Sequence, residues 1–382
     1  MHARGHARPA PLLLVAALLL AACAPAAAPA QPGGAPSAAP AATTASAPAA
    51  PSAVPAGGQT AVQPLNPPLN LKVGSLGLVG EAGVFDALAK GYFREEGLEV
   101  ELVPFRTTNE QTAPLATGEL SFASGPPDPS LFNAVLRDIP LRIVGYNAII
   151  STRDTSGGWL VRQDILDSGR YQDPKDLKGM TIAISSRGGI GEIWVERVLG
   201  KGGLTTGDVQ FAQLTFPDIP AAFANKVMDA GFVVEPFASI AEGQHTAHNV
   251  MPSGQIYPGL VAMTLIVSPV FARDQPEAAR RFVTAYLRGQ RDYYRAIMKD
   301  EGGKDELYQI LSQYTPIHDL SLFARMATHD VDPNGQLDPR TIDEQQDYYV
   351  RYGTQQQKLD SSRVLDPSYS QYAVERLGRI SE

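Results

Sequence analysis

The sequence predicts an α/β protein of two lobes, and three observations predict it. From Leu69 onward, runs of strand character alternate with amphipathic helical runs, the pattern of parallel strands joined by crossover helices. That folded part is about 310 residues long, enough for two α/β cores rather than one. Ahead of it lie a short apolar run ending at Cys23, which reads as a signal segment, and a long tract of small residues with nothing to pack.

Residues 1–22 read as a lipoprotein signal peptide. Arg4 and Arg8 form a basic start, and Pro11 to Leu20 an apolar run shorter than the roughly 20 residues a bilayer core requires. Leu20-Ala21-Ala22-Cys23 has the form of a lipobox, and Cys23 is the chain's only cysteine. Cys23 is therefore expected to be acylated, become the mature N-terminus and hold the protein on the outer face of the cytoplasmic membrane. An ordinary cleaved signal with an incidental cysteine is the plainer alternative. No thiol is left for a disulfide, a cysteine-ligated metal or a nucleophile. The net charge of −8 becomes −10 when Arg4 and Arg8 leave with the signal, which argues against a nucleic-acid partner. Residues 23–68 are almost wholly Ala, Pro, Gly, Ser and Thr, uncharged after Cys23, and read as a lipid-anchored disordered tether.

The first strand is expected at Leu71–Leu76. A helix over 83–96 follows, with Phe85, Leu88, Tyr92 and Phe93 at helical spacing and Gly97 as its capping glycine. Strands are expected at 98–105, 120–123 and 141–146, with helices at 107–116 and 130–136 between them. A second run repeats the alternation: strands at 180–185, 209–214 and 230–234, helices at 189–199 and 219–224. Residues 260–267 form a strongly apolar strand, and a long helix runs from Gln275 towards Asp300. The helices at 305–313, 320–327 and 339–352 have no strands between them and are expected to wrap the first lobe.

Three segments carry a family resemblance. Gly91-Tyr92-Phe93-Arg94-Glu95-Glu96-Gly97-Leu98, with Val100 and Leu102, resembles a run shared by the nitrate/taurine/sulfonate and thiamine-pyrimidine-precursor class of ABC-transporter solute-binding proteins. Leu115 to Phe122 resembles that family's glycine turn, with Ser121 where Asp is frequent. Asp176-Leu177-Lys178-Gly179-Met180-Thr181-Ile182-Ala183 resembles its entry to a second lobe. The resemblance implies a periplasmic-binding-protein fold of type II: two α/β lobes, two hinge crossings and a ligand cleft between. Lobe 1 would be discontinuous, from 69–155 and 257–382, with 156–256 as lobe 2. It also implies a small-molecule ligand, an ABC permease with its ATPase as partner, and no cofactor; the protein is expected to be a monomer.

In open α/β sheets ligands bind beyond the carboxyl ends of the strands. That rule nominates Ser75, Leu76, Gly77, Ser124, Gly125, Tyr146 and Asn147 in lobe 1. In lobe 2 and at the return crossing it nominates Ser185, Ser186, Arg187, Gly188, Glu235 and Tyr257. The 185–189 loop is the sharpest of these. Free N–H groups at a helix start, two hydroxyls and a guanidinium together suit a sulfonate or carboxylate, against the plain reading of a helix cap beside a solvated Arg187. Tyr146 and Tyr257 keep a pyrimidine or flavin-like vitamin precursor as the alternative ligand. Trp159 is expected at the hinge and Trp194 in the core. Gly189-Ile190-Gly191 is not a dinucleotide loop, because Trp194 stands at the third glycine position.

Asp330, Asp332 and Asn334-Gly335 mimic half a calcium loop, but Thr341 holds the place of the bidentate acid. A turn with Asp338 capping a helix that begins at Pro339 explains the segment. His245 and His248 fall in what reads as a polar loop, and no metal site is expected. There is no G-x-S-x-G, H-E-x-x-H or P-loop signature, so no catalysis is expected. A ligand-sensing or adhesive lipoprotein on the same fold remains a separate possibility; a neighbouring permease gene or kinase gene would discriminate the two.

Overall fold

A computed structural model describes residues 63–185, 187–325 and 329–381. Two five-stranded sheets form its frame. The first contains β1 (Leu69–Ser75), β2 (Leu98–Pro104), β3 (Phe122–Gly125), β4 (Arg142–Ile149) and β10 (Val261–Val267), in the order β2-β1-β3-β10-β4. The second contains β5 (Gly157–Arg162), β6 (Thr181–Ile184), β7 (Gln210–Gln213), β8 (Ala230–Val234) and β9 (Ala247–Pro252), in the order β7-β6-β8-β5-β9. The sheets are mixed rather than wholly parallel. β10 runs antiparallel to β3 and β4, and β5 antiparallel to β8 and β9. Both strands follow a crossing between the sheets. A chain entering at the carboxyl ends of parallel strands has to run back down the sheet, so the crossings impose the reversal.

The two crossings lie side by side. Ile150 donates its N–H to the Leu260 carbonyl at 2.9 Å and accepts from Gly259 at 2.6 Å. Asp154 ties them further: its Oδ1 accepts from the Ser156 N–H and hydroxyl, both at 2.7 Å, and from the Ser253 hydroxyl at 2.6 Å. A side chain at Gly254 would place Cβ 2.5 Å from the Ser151 carbonyl oxygen, so this close approach requires glycine.

Five helices matter for the cleft or for the core beneath it: α1 (Ala82–Ala89), α2 (Pro129–Leu136), α3 (Ile190–Lys201), α4 (Pro276–Tyr293) and α5 (Pro339–Arg351). α1 ends earlier than expected. Gly91, at φ +77°, separates it from a short turn of helix at Tyr92–Glu95. α4 packs on α1, and Phe282 stacks on Phe93 and Phe122 with ring centroids 4.5 and 3.9 Å apart. Leu65, in the stretch read as tether, docks here: its N–H donates to the Glu96 carbonyl at 3.2 Å, and Arg281 donates to the Gln63 carbonyl at 2.6 Å.

Several further segments can be set against the sequence reading. Residues 247–252 form β9 rather than a loop, and His248 Nδ1 lies 2.9 Å from a Glu242 carboxylate oxygen. The calcium-like turn is occupied by its own chain, since the Asn334 amide exchanges hydrogen bonds with the Ile380 backbone at 2.8 and 2.9 Å. Asp338 caps α5 by accepting the Arg340 N–H, as its position before Pro339 suggests. α5 does not simply wrap the first sheet; it also leans on α3. A final helix at Ser368–Leu377, absent from the sequence reading, packs on α4. Among the described residues no helix is long and apolar enough to cross a membrane.

Candidate ligand-binding cleft

The ends of β1, β3, β4, β6 and β8 and the start of β10 converge on a cavity of about 70 Å³. Its walls come from both sheets. Leu78, Ile150 and Met263 close it from the first, and Ile184, Trp194 and Phe232 from the second. Trp194 and Phe232 stack face to face, with centroids 3.9 Å apart and planes 3° from parallel. α3 fixes Trp194 there, because its neighbours Ile193, Val195, Val198 and Leu199 are buried. Trp194 is only 3% exposed, yet it lines the cleft instead of the interior alone.

Four polar residues interrupt these walls: Ser156, Ser185, Glu235 and His329. Glu235, at the end of β8, is 7% exposed and accepts from the N–H and hydroxyl of Ser239, both at 3.0 Å. Burial pushes its carboxyl up to about 7 against the pull of those two bonds. His329 is 1% exposed and stacks on Tyr293 at 4.5 Å, with Nδ1 3.2 Å from the Tyr293 hydroxyl. Burial lowers its pKa to about 3, so the imidazole is neutral, and Nε2 has no partner.

A second chamber, of about 300 Å³, adjoins the first and shares Leu78, Pro126, Ser185, Ile190 and Phe216 with it. Its other walls are more polar, with Thr108, Asn109, Asp128, Gln213 and Thr215 among them. Arg106 spans it from the loop after β2, donating to Thr215 Oγ1 at 2.8 Å and to Asp218 Oδ2 at 3.0 Å. One Asp128 oxygen, Oδ1, is buried without a partner. Burial raises the Asp128 carboxyl to about 6 while the Ile190 N–H, bonded to it, opposes the rise.

The start of α3 does not present the anion seat expected of the 185–188 loop. The Gly188 N–H donates to Glu192 at 2.6 Å, and Asp128 takes the Ile190 N–H. Arg187 lies 3.2 Å from the same Glu192 and 4.0 Å above the Phe211 ring. Carboxylates of the protein thus neutralise the positive helix end before any solute arrives. Ser186 falls outside the described residues, as does Cys23.

The other nominated residues divide. Leu76, Ser185 and Glu235 line the chambers. Ser75 accepts the Gly77 N–H at 3.1 Å, shaping the turn after β1. Asn147 donates to Ser124 at 2.5 Å and accepts from Tyr286 at 2.8 Å, a network inside the first sheet's core. Gly125 stands where a Cβ would meet Thr108 Oγ1 at 2.5 Å. Tyr146 donates to the Asp338 carbonyl at 2.8 Å, and Tyr257 to Glu344 at 2.5 Å beneath the Arg197 guanidinium. Neither tyrosine lines a chamber. Trp159 is buried on β5 within the second sheet's core. Sequence reasoning missed Phe232 and His329; the first is hidden in a short apolar strand, and nothing local marks the second.

Two α/β sheets meeting over a cleft at their strand ends define a periplasmic-binding-protein fold of type II. The chain belongs to the NMT1/THI5-like family, whose model matches residues 80–303. It is 26% identical over 267 residues to the riboflavin-binding protein RibY of Chloroflexus aurantiacus, covering 68% of this chain and 71% of that one. Its fold resembles a ligand-binding component of an ABC-type import system from Staphylococcus aureus (TM-score 0.66, 12% identity, 80% and 99% of the two chains covered). It resembles equally the periplasmic nitrate-binding protein NrtA of Synechocystis (TM-score 0.65, 16% identity, 81% and 89% covered). The desulfurization enzyme DSZB also shares the fold (TM-score 0.57, 16% identity, 81% and 99% covered), so the fold itself does not separate capture from catalysis.

Proposed function

We propose that this protein is the exported solute-binding component of an ABC importer, and that its solute carries a planar heteroaromatic ring of the pyrimidine or flavin type. The observation that carries the ring reading is the largely apolar cavity walled by the stacked Trp194 and Phe232, with Glu235 and His329 among its four polar residues. Aromatic faces hold a flat ring by stacking, and a buried polar pair discriminates its edge. A Glu235 carboxyl titrating near 7 can either accept from a ring N–H or donate to a ring carbonyl. The likeness to a riboflavin-binding protein supports the same ligand class.

The small organic anion suggested by the 185–188 loop has less support, because Glu192 takes the Gly188 N–H and lies against Arg187, and Asp128 takes the Ile190 N–H. We read the cleft as one for capture, in keeping with the likeness to binding components of ABC-type import systems. A ring touching both sheets stabilises the closed form, since only that form offers both sets of contacts. The permease would then read closure. Cys23 would carry the lipid anchor after removal of residues 1–22, with the protein acting as a monomer.

The test uses the chain's two tryptophans. In a Trp159→Phe background Trp194 is the remaining fluorophore, and the full-length protein is titrated with riboflavin, a hydroxymethylpyrimidine and an alkanesulfonate. A ring compound should quench it with a Kd near micromolar, worth about 8 kcal/mol. Measured by calorimetry, since the fluorophore is lost, Trp194→Leu should weaken binding about tenfold, as expected for one lost stacking contact of about 1.4 kcal/mol. Binding of the sulfonate with no response to either ring compound would sink the reading.

A further inference from the structure

We infer that the second chamber is a subsite for a neutral, polyhydroxylated substituent on the ring, and that it excludes phosphorylated forms of the same solute. This rests on the ring reading above and adds the chemistry of the rest of the molecule. The two chambers share five wall residues, so one ligand can occupy both. Their linings differ in kind. The inner one is mostly aromatic and aliphatic, while the second offers uncharged hydrogen-bonding groups on Thr108, Asn109 and Gln213. Such groups serve a chain of hydroxyls, each of which donates once and accepts twice.

Charge decides against a phosphate. Arg106 is the one cation among the residues lining the second chamber, and it is already bonded to Thr215 and Asp218. Asp128 faces the same chamber with Oδ1 buried and unpartnered. A buried acceptor without a donor is costly, and a ligand hydroxyl relieves that cost where a phosphate dianion would meet like charge. The helix end that would ordinarily receive a phosphate, the start of α3, carries Glu192 and Asp128 instead.

Calorimetric titration of the full-length protein with three probes tests this: riboflavin, which joins a ring to a hydroxylated chain; lumichrome, the ring without the chain; and riboflavin 5′-phosphate. Riboflavin should bind at least tenfold more tightly than either of the others. Asn109→Ala, at an exposed position, should weaken riboflavin about threefold and leave lumichrome unchanged. Asp128→Asn should narrow the gap between riboflavin and its phosphate at least fivefold. Lumichrome binding as tightly as riboflavin would overturn the subsite while leaving the ring reading intact. A phosphate bound as tightly as riboflavin would overturn the charge argument. If none of the three binds, this inference fails, and the ring reading is then decided by the hydroxymethylpyrimidine titration above.

Discussion

At Arg187 the guanidinium lies 3.2 Å from Glu192 and over the face of Phe211, and about half of its side chain remains in solvent. An exposed pair of this kind contributes about 0.2–1 kcal/mol. Arg187→Ala should therefore lower Tm by about 2 °C or less and change the Kd for a ring ligand less than twofold; a tenfold loss would place Arg187 in the ring's own site. Trp194 is the converse case. Its helical spacing with Val198 marks an apolar face, and the sequence has no means to say whether that face meets the lobe's own core or the opposite lobe. His329 is less legible still, since it is set in the wall by Tyr293 and lies beside β4 and β10 residues distant in sequence. Glu235 and Ser185 were legible because they end strands, and strand ends meet at the cleft.

α3 is the element on which the two lobes meet. The Thr354 hydroxyl donates to the Gly188 carbonyl at 2.6 Å, Asp128 reaches the Ile190 N–H, and Arg351 pairs with Glu196 at 2.6 Å while the Tyr352 hydroxyl bonds the same carboxylate. Thr354, Arg351 and Tyr352 all belong to α5 or the turn after it, so the C-terminal segment acts as a strap across the lobes. Glu196→Ala should leave the ring contacts untouched and weaken the closed form by the worth of a partly exposed pair. Ligand release in stopped-flow fluorescence should speed up about two- to fivefold. An unchanged rate would mean that the strap does not bear on closure. The sequence located α3 and α5 to within a few residues, because both are long and amphipathic. It missed β9 and the helix at Ser368–Leu377. β9 alternates weakly and is defined by pairing with β5; the final helix owes its place to α4.

Across the whole molecule, buried carboxyls tie stability to pH. Glu81 and Glu235 are both raised to about 7, burial being the first cause in each, and Asp86 is raised in the same direction. A carboxyl whose folded pKa exceeds its unfolded value favours the fold when protonated, and that contribution is lost as pH rises through the folded value. His329, lowered to about 3, works the other way, adding stability as pH rises until it is well past the unfolded histidine value near 6.5. Between pH 6.5 and 8 each of the two glutamates removes on the order of 0.8 kcal/mol, while the last of the His329 contribution returns about 0.4 kcal/mol. Tm should fall by a few degrees over that interval in scanning calorimetry, and Glu235→Gln should flatten the fall; a Tm that rises would contradict the burial of these groups. By itself the sequence determined the α/β class, most of its elements, and the family, because periodicity, capping residues and short motifs are local properties. It did not determine the direction of β5 and β10, the partners of the α3 N-terminus or the stacked pair in the cleft. Those depend on which distant segments the two crossings bring together, and Glu192 and Asp128 decided the character of the site only once the fold had set them against the helix end.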